Sequence, residues 1–241
     1  MAQQTIAFLG ASTGVGLSAL KHSLAAGHRC IALCRTPSKL TDVISPASNA
    51  NLQVVQGNAH DLAAVSQCFK KADGNLVDAI VSTIGGKPML NKQMTDDPEV
   101  CRKGMDTMLE ALAQLRSAGA TGRPYIIVCS TTGMSRFGRD MPVLTIPLYS
   151  FMLKVPHKDK KIMEDTLADS GEDFTIVRAS LLVNGESTKP IRAGIEDPKT
   201  GREVQEIGYT ISREDAGKWI ADNLLIKREA KYLNKIASIT Y

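Results

Sequence analysis

The chain has 241 residues, 43% hydrophobic and 22% charged, with 29 basic against 25 acidic side chains for a net charge of +4. That is long enough to bury a large core without a metal staple, and it suits one α/β domain. A surplus of four charges is too small to argue for a nucleic-acid partner. The N-terminal Met-Ala-Gln-Gln-Thr runs directly into a short apolar segment without the basic and long apolar regions of a signal peptide, and no window approaches the roughly 18 apolar residues of a membrane helix. The expectation is a soluble, cytoplasmic protein without a membrane partner. Cys30, Cys34, Cys68, Cys101 and Cys129 include no C-x-x-C pair and sit mostly in apolar runs, as buried free thiols in a reducing compartment do.

Along the chain, Thr5 to Leu9 reads as a strand, followed by a glycine-rich turn and a helix carrying Leu17, Leu20 and Leu24 at helical spacing, with Gly27 closing it. Arg29–Cys34 is a second buried strand and Leu52–Gln56 a third. Asp61 caps a helix to Lys71, Val77–Ser82 is a strand, and a long helix runs from about Asp97 to Ser117. Pro124–Ser130 is a strand, Pro156–Ser170 a helix with Pro in its first position, and Phe174–Arg178 a strand. Ser212 opens a last helix to about Lys227, and Ile236–Thr240 adds an edge strand. Strands alternating with helices of this length need right-handed crossovers, which give a parallel sheet covered on both faces. The fold expected is α/β, a doubly wound parallel sheet in a single Rossmann-type domain spanning residues 1–241. Residues 182–208, rich in Gly, Pro, Lys and Glu, form its irregular, substrate-side lid.

The strongest chemical signal is Gly10-Ala-Ser-Thr-Gly14-Val-Gly16, between the first strand and the first helix. Glycines at this spacing permit a tight turn, a close approach of pyrophosphate to backbone, and close helix–strand packing, while the helix N-terminus supplies amides and a positive dipole end. The second strand ends in Arg35-Thr-Pro-Ser-Lys39, with no acidic residue to hold a ribose 2′-hydroxyl. Arg35 can fork onto a 2′-phosphate and Lys39 can add a point charge, so NADP is favoured over NAD; the alternative is two solvated cations at a helix start. Further cofactor contacts are expected at the carboxyl ends of the next strands. These are Gly57-Asn-Ala-His-Asp61, where Asn58 could bond the adenine, then Ser82-Thr-Ile-Gly-Gly86, and Ser130-Thr-Thr-Gly133 beside the nicotinamide.

These segments, with Lys160-Lys-Ile-Met-Glu164, Thr175-Ile-Val-Arg-Ala-Ser180 and Gly208-Tyr-Thr-Ile-Ser-Arg-Glu-Asp215, give a chain that resembles the short-chain dehydrogenase/reductase superfamily. Within it, the chain is similar to the atypical, NmrA-like NAD(P)H-binding branch, in particular its fungal members. The resemblance covers nearly the whole chain and implies a fold and a cofactor more firmly than a substrate. Together with the strand-end positions, it implies a cofactor-binding set of Gly10, Ser12, Thr13, Gly14, Val15, Gly16, Arg35, Lys39, Asn58, Ala59, Thr83, Ile84, Gly85, Ser130, Lys160, Ala179, Ser180 and Leu181.

In the main branch of that superfamily, a Tyr-x-x-x-Lys pair on one helix face carries the proton transfer, with a serine from the fifth strand beside it. Lys160 matches the lysine, yet Pro156 stands four residues earlier, and none of the five tyrosines precedes a lysine at that distance. The candidate substitutes are His157, which titrates near neutrality but starts a helix that lowers its pKa, Tyr149 in the preceding loop, and Ser130 or Thr131. Each has a plain alternative: a histidine bound to loop backbone, a packing tyrosine, a satisfied strand end. The basic cluster at Lys154, Lys158, Lys160 and Lys161 is interrupted by Asp159, Glu164 and Asp165 and reads as a solvated helix face. His and Cys spacings fit no metal site. Three functions follow. The first is an NADPH-dependent oxidoreductase acting on a small organic carbonyl, imine or enone. The others are a non-redox isomerase, epimerase or cyclase on the same fold, and an NADP-sensing binding protein. Neither the substrate nor the oligomeric state can be read from the sequence.

Overall fold

The computed structural model describes residues 2–87, 89, 95–147 and 153–241. Its first strand, β1 (Thr5–Leu9), lies between β2 (Arg29–Cys34) and β4 (Ala79–Ser82), parallel to both. Side chains alternate across a strand. Ile6 and Phe8 therefore enter the core on one sheet face with Leu20, Trp219 and Leu224, while Ala7 and Leu9 face Met105, Met108, Leu112 and Leu167 on the other. Because both faces are covered, an uninterrupted apolar run such as Ile6-Ala-Phe-Leu9 is stable only as an interior strand.

The parallel series continues through β3 (Leu52–Gln56), β5 (Tyr125–Thr131) and β6 (Asp173–Ala179). Helices α1 (Gly14–Ala25), the short α2 (Ser38–Thr41), α3 (Leu62–Cys68), α4 (Val100–Ser117) and α5 (Lys154–Asp169) lie between them. Asp61 caps α3 as expected, accepting from the N–H groups of Ala63 and Ala64 at 3.0 and 3.3 Å. Ser212 likewise caps α6 (Arg213–Ile220), accepting from Asp215 N at 2.9 Å; a π-helical turn, Ala221–Ile226, extends this helix to nearly the expected end.

The complete order among the described residues is β3-β2-β1-β4-β5-β6-β11-β8-β9, where β8 is Arg192–Asp197, β9 is Gly201–Val204 and β11 is Lys235–Thr240. The expected doubly wound sheet is present, with strand order reversing between β1 and β4. Three expectations need correction. The C-terminal strand is not an edge: β11 pairs parallel with β6 and antiparallel with β8, and Ala237 and Ile239 are fully buried. The 182–208 stretch is not irregular, since it contributes most of β7 (Leu181–Val183), paired with β10 (Thr210–Ser212), and the β8–β9 hairpin that extends the main sheet. β7 is only three residues long, and β8 and β9 mix Arg, Gly, Glu and Asp with their apolar residues, which hides them from a search for buried apolar runs. Pro156 is the third helical residue rather than the first, a place it tolerates because the opening N–H groups of a helix have no intrahelical partner.

Candidate functional site

At the strand-order reversal, the carboxyl ends of β1 to β4 open into a cleft of about 340 Å³. Ten of the residues expected to hold a cofactor line it: Gly10, Ser12, Thr13, Arg35, Lys39, Asn58, Ala59, Thr83, Ile84 and Gly85. Gly10 has φ +90°, a conformation that favours glycine, and its carbonyl accepts from Thr83 Oγ1 at 3.0 Å, joining the turns that follow the paired strands β1 and β4. A Cβ on Gly16 would lie 2.4 Å from Thr83 Oγ1 and 2.6 Å from the Gly10 carbonyl, so only glycine lets the helix start this close to the turn. Gly14, Val15 and Gly16 form the first residues of α1 and do not line the cleft.

The N-terminus of α1 is electrostatically open. Thr13, its extended cap residue, makes no side-chain capping bond, and no acidic residue occupies the first turn. Its opening N–H groups and positive dipole end are therefore available to an anion, here at the mouth of a cleft that also contains Arg35 and Lys39. Both cations are exposed. A cradle of glycines too tight for any Cβ, an uncapped helix start and two cations at the far end fit the phosphates of a dinucleotide.

The same cleft includes Thr36 and His60, which belong to segments already singled out in the sequence, and Lys87, Asp96 and Val100, which local sequence reading missed. Asp96 accepts from Lys87 N at 2.7 Å and from Asp97 N at 3.0 Å. Burial works against its charge, but these N–H groups hold its carboxyl below the usual range. A lysine two residues beyond Gly85 was the available signal, although nothing local to it marks a ligand. Asn58 forms a turn in which its side chain accepts from His60 N at 3.3 Å.

The other end of the site lies at the carboxyl ends of β5 and β6. Ser130 is 3% exposed, and among the described residues its Oγ has no hydrogen-bond partner, nor has Oγ1 of nearby Thr132. Buried hydroxyls left without partners are costly and mark a place where a ligand or water completes the bonding. Lys160 Nζ donates to the Cys129 carbonyl at 3.0 Å, which brings the expected lysine to the expected strand. Burial opposes its charge, but Cys101, Cys129, Glu164 and Asp159 raise its pKa above the ordinary value. Asp159, the residue before it, accepts from the N–H groups of Cys101 and Arg102 at 2.8 and 3.0 Å, so α5 caps α4 and the register of Lys160 is set by both helices.

His157 sits one turn before Lys160 on α5. Burial, and then the charge of Lys160, lower its pKa to about 4, with Asp140 pulling the other way and Arg178 adding to the fall. It is therefore neutral at pH 7 and does not carry a ready imidazolium proton there. Tyr149 lies outside the described residues. Ala179 ends β6, Ser180 is buried with its Oγ donating to Thr240 Oγ1 at 3.0 Å, and Leu181 is 41% exposed; none of the three lines the cleft.

Behind this end is a buried charge network. Arg178, 2% exposed on β6, donates to Glu164 Oε2 at 2.7 Å and to Glu196 Oε1 at 2.9 Å, with Asp140 3.8 Å away. Burial works against the guanidinium, but Glu164, Glu196 and Asp140 together raise its pKa. Asp140 in turn accepts from the N–H groups of Gly133, Met134 and Ser135, so the loop after β5 is tied to the same group. All five cysteines are buried, which pushes the Cys30 and Cys68 thiols up to about 12 and Cys101 to about 11; thiolate chemistry at neutral pH is not favoured.

A family profile described as NAD(P)H-binding matches residues 10–226. The chain belongs to this NAD(P)H-binding family. Its fold is that of the atypical short-chain dehydrogenases/reductases. It is 41% identical to reductase pytE of Aspergillus terreus over 98% of each chain, and 29% identical to oxidase pynE of Aspergillus niger over 100% of this chain and 99% of that one. A short-chain dehydrogenase/reductase from Veillonella parvula, solved in complex with NADP, has the same fold with a TM-score of 0.74 at 16% identity, covering 100% of this chain and 95% of that one. Among the described residues, no helix is long and apolar enough to cross a membrane, and no group of three His, Cys, Asp or Glu could hold a metal ion.

Proposed function

We propose that this member of the NAD(P)H-binding family is an NADP-dependent oxidoreductase acting on a small organic carbonyl, imine or enone. The observation that carries the reading is the placement of Arg35 and Lys39 in the same cleft as the Gly10–Gly16 turn, with no acidic side chain at the tip of β2. Bound NADPH would supply a hydride. The chain's own residues divide the remaining work. The turn and the start of α1 hold phosphate, and Arg35 with Lys39 select the 2′-phosphate. Lys160, anchored on the Cys129 carbonyl, holds ribose hydroxyls and places positive charge where a substrate oxygen becomes negative.

Ser130 orients that oxygen through the hydroxyl that has no partner among the described residues. Proton supply falls to His157 as a neutral N–H donor or to Tyr149, since Pro156 stands where the family's main branch has its tyrosine. That departure favours a second reading, a non-redox isomerase, epimerase or cyclase on the same scaffold. The names of the two fungal relatives, a reductase and an oxidase, support redox chemistry instead.

The test is a fluorescence titration with NADPH and NADH, followed by an NADPH-oxidation screen against aldehydes, quinones, cyclic imines and enones. Preferential NADPH binding and substrate-dependent oxidation are expected. Product formation without net oxidation would replace the oxidoreductase reading by the second one. With an active substrate in hand, Ser130→Ala is expected to lower kcat about a hundredfold or more while changing NADPH affinity far less.

A further inference from the structure

The second glycine of the turn, Gly14, has φ +58°, and a Cβ placed on it would lie 3.2 Å from Cδ and 3.9 Å from Nε of Arg213. The Cβ side of Gly14, at the helix start beside the cleft rather than in its lining, is therefore overhung by an arginine from the other end of the chain, about 200 residues away in sequence. Arg213 is the first residue of α6, and its position is set from two sides. Ser18 Oγ on α1 donates to the Glu214 carbonyl at 2.6 Å, pinning the start of α6 to α1, and Arg213 NH1 donates to Asn184 Oδ1 at 2.7 Å. Asn184 is neutral, and among the described residues Arg213 takes part in no ion pair. The adjacent carboxylates are engaged elsewhere, Glu214 with Gly185 N at 3.1 Å and Asp215 with Ser187 N at 2.9 Å. The turn Gly10-Ala-Ser-Thr-Gly-Val-Gly16 contains no cation of its own, and Arg35 and Lys39 lie at the end of β2, where the 2′-phosphate is expected.

The geometry points to Arg213 as the residue that neutralises the cofactor's pyrophosphate, supplied by α6 to a turn that otherwise offers only backbone N–H groups. This rests on the NADP reading above. A planar guanidinium with no ion-pair partner among the described residues, beside an uncapped helix start, is suited to a doubly charged diphosphate, and charge-assisted bonds of this kind are the strong ones. The arrangement also links the pyrophosphate position to the 184–187 segment, because Arg213, Glu214 and Asp215 all bond to it.

The experiment compares the wild-type chain with Arg213→Met, which keeps an apolar stem over Gly14, Arg213→Gln and Arg213→Lys. Affinities are measured for NADPH and for 2′-AMP, which carries the 2′-phosphate but no diphosphate, and inorganic pyrophosphate is tested as a competitor of NADPH. Expected are a loss of NADPH affinity on the order of ten- to a hundredfold in the Met and Gln variants, partial recovery in Lys, 2′-AMP affinity within about twofold of wild type, and weaker competition by pyrophosphate. Unchanged NADPH affinity in a folded Met or Gln variant would overturn the assignment, as would an equal loss for NADPH and 2′-AMP. A wild-type chain that binds 2′-AMP but not pyrophosphate overturns it while leaving the cofactor reading intact; binding of neither NADPH nor 2′-AMP overturns both.

Discussion

The two ends of the site are built on opposite principles. The dinucleotide end is a shallow polar cleft made of strand-end turns, with exposed cations and a helix start left uncapped. The β5–α5 end is buried, and its polar groups are locked to one another: Lys160 on a carbonyl, Asp159 on the start of α4, Arg178 among three carboxylates. Groups that must exchange solvent for a ligand sit where water can still reach them. Groups that must hold a fixed position sit where a lost partner would leave a buried charge. Substitutions at the first end should therefore change affinity at nearly constant stability, and substitutions at the second should change stability first.

Gly16→Val is the exception at the cofactor end and has the largest effect expected there. Its side chain would meet Thr83 and the Gly10 carbonyl at well under contact distance, so NADPH binding should vanish and stability should fall by about 1–3 kcal/mol, as urea unfolding would record. At the buried end, Glu164→Ala strips Arg178 of its closest partner. It should cost about 3 kcal/mol or more in the same assay, while the folded fraction keeps its NADPH affinity. A loss below about 1 kcal/mol would mean that the network is more hydrated than its burial indicates.

Arg35→Glu should weaken NADPH on the order of a hundredfold, raise NADH affinity relative to it, and leave the urea midpoint within about 0.5 kcal/mol of wild type. Equal changes for both nucleotides would break the assignment of the β2 tip to the 2′-phosphate.

The pH dependence of stability tests the buried end through His157. Its folded-state pKa is depressed to about 4, so between the ordinary histidine value near 6.5 and pH 4 the unfolded chain binds the extra proton and the folded one does not. Its contribution is fully present above about pH 6.5 and is lost as pH falls toward 4. The urea midpoint of the wild type should drop across that window more steeply than that of His157→Gln. Parallel curves would remove His157 from the buried end.

The cleft at the ends of β1 to β4 was legible because each of its parts is a contiguous segment. Gly10–Gly16, Arg35–Lys39 and Gly57–Asp61 are strand-end turns, and in a parallel sheet all strand ends of one polarity lie along one edge. The buried end was legible only in fragments. Lys160 and Ser130 could be picked out separately, but the bond from Lys160 to Cys129 depends on how α5 crosses β5, and the partners of Arg178 come from α5, β8 and the loop after β5. Arg213 was invisible for the same reason, since nothing around it marks a ligand until α6 is packed on α1.

By itself, then, the sequence determined the alternation of strands and helices, the glycine turn after β1 and the charge at the tip of β2, because backbone conformation, side-chain period and turn chemistry act over a few residues. Tertiary structure alone decided that β11 is interior, that residues 192–204 extend the sheet, that His157 is held neutral, and that an arginine from α6 covers Gly14. Those outcomes depend on desolvation and on contacts between segments far apart in the chain, which no local pattern encodes.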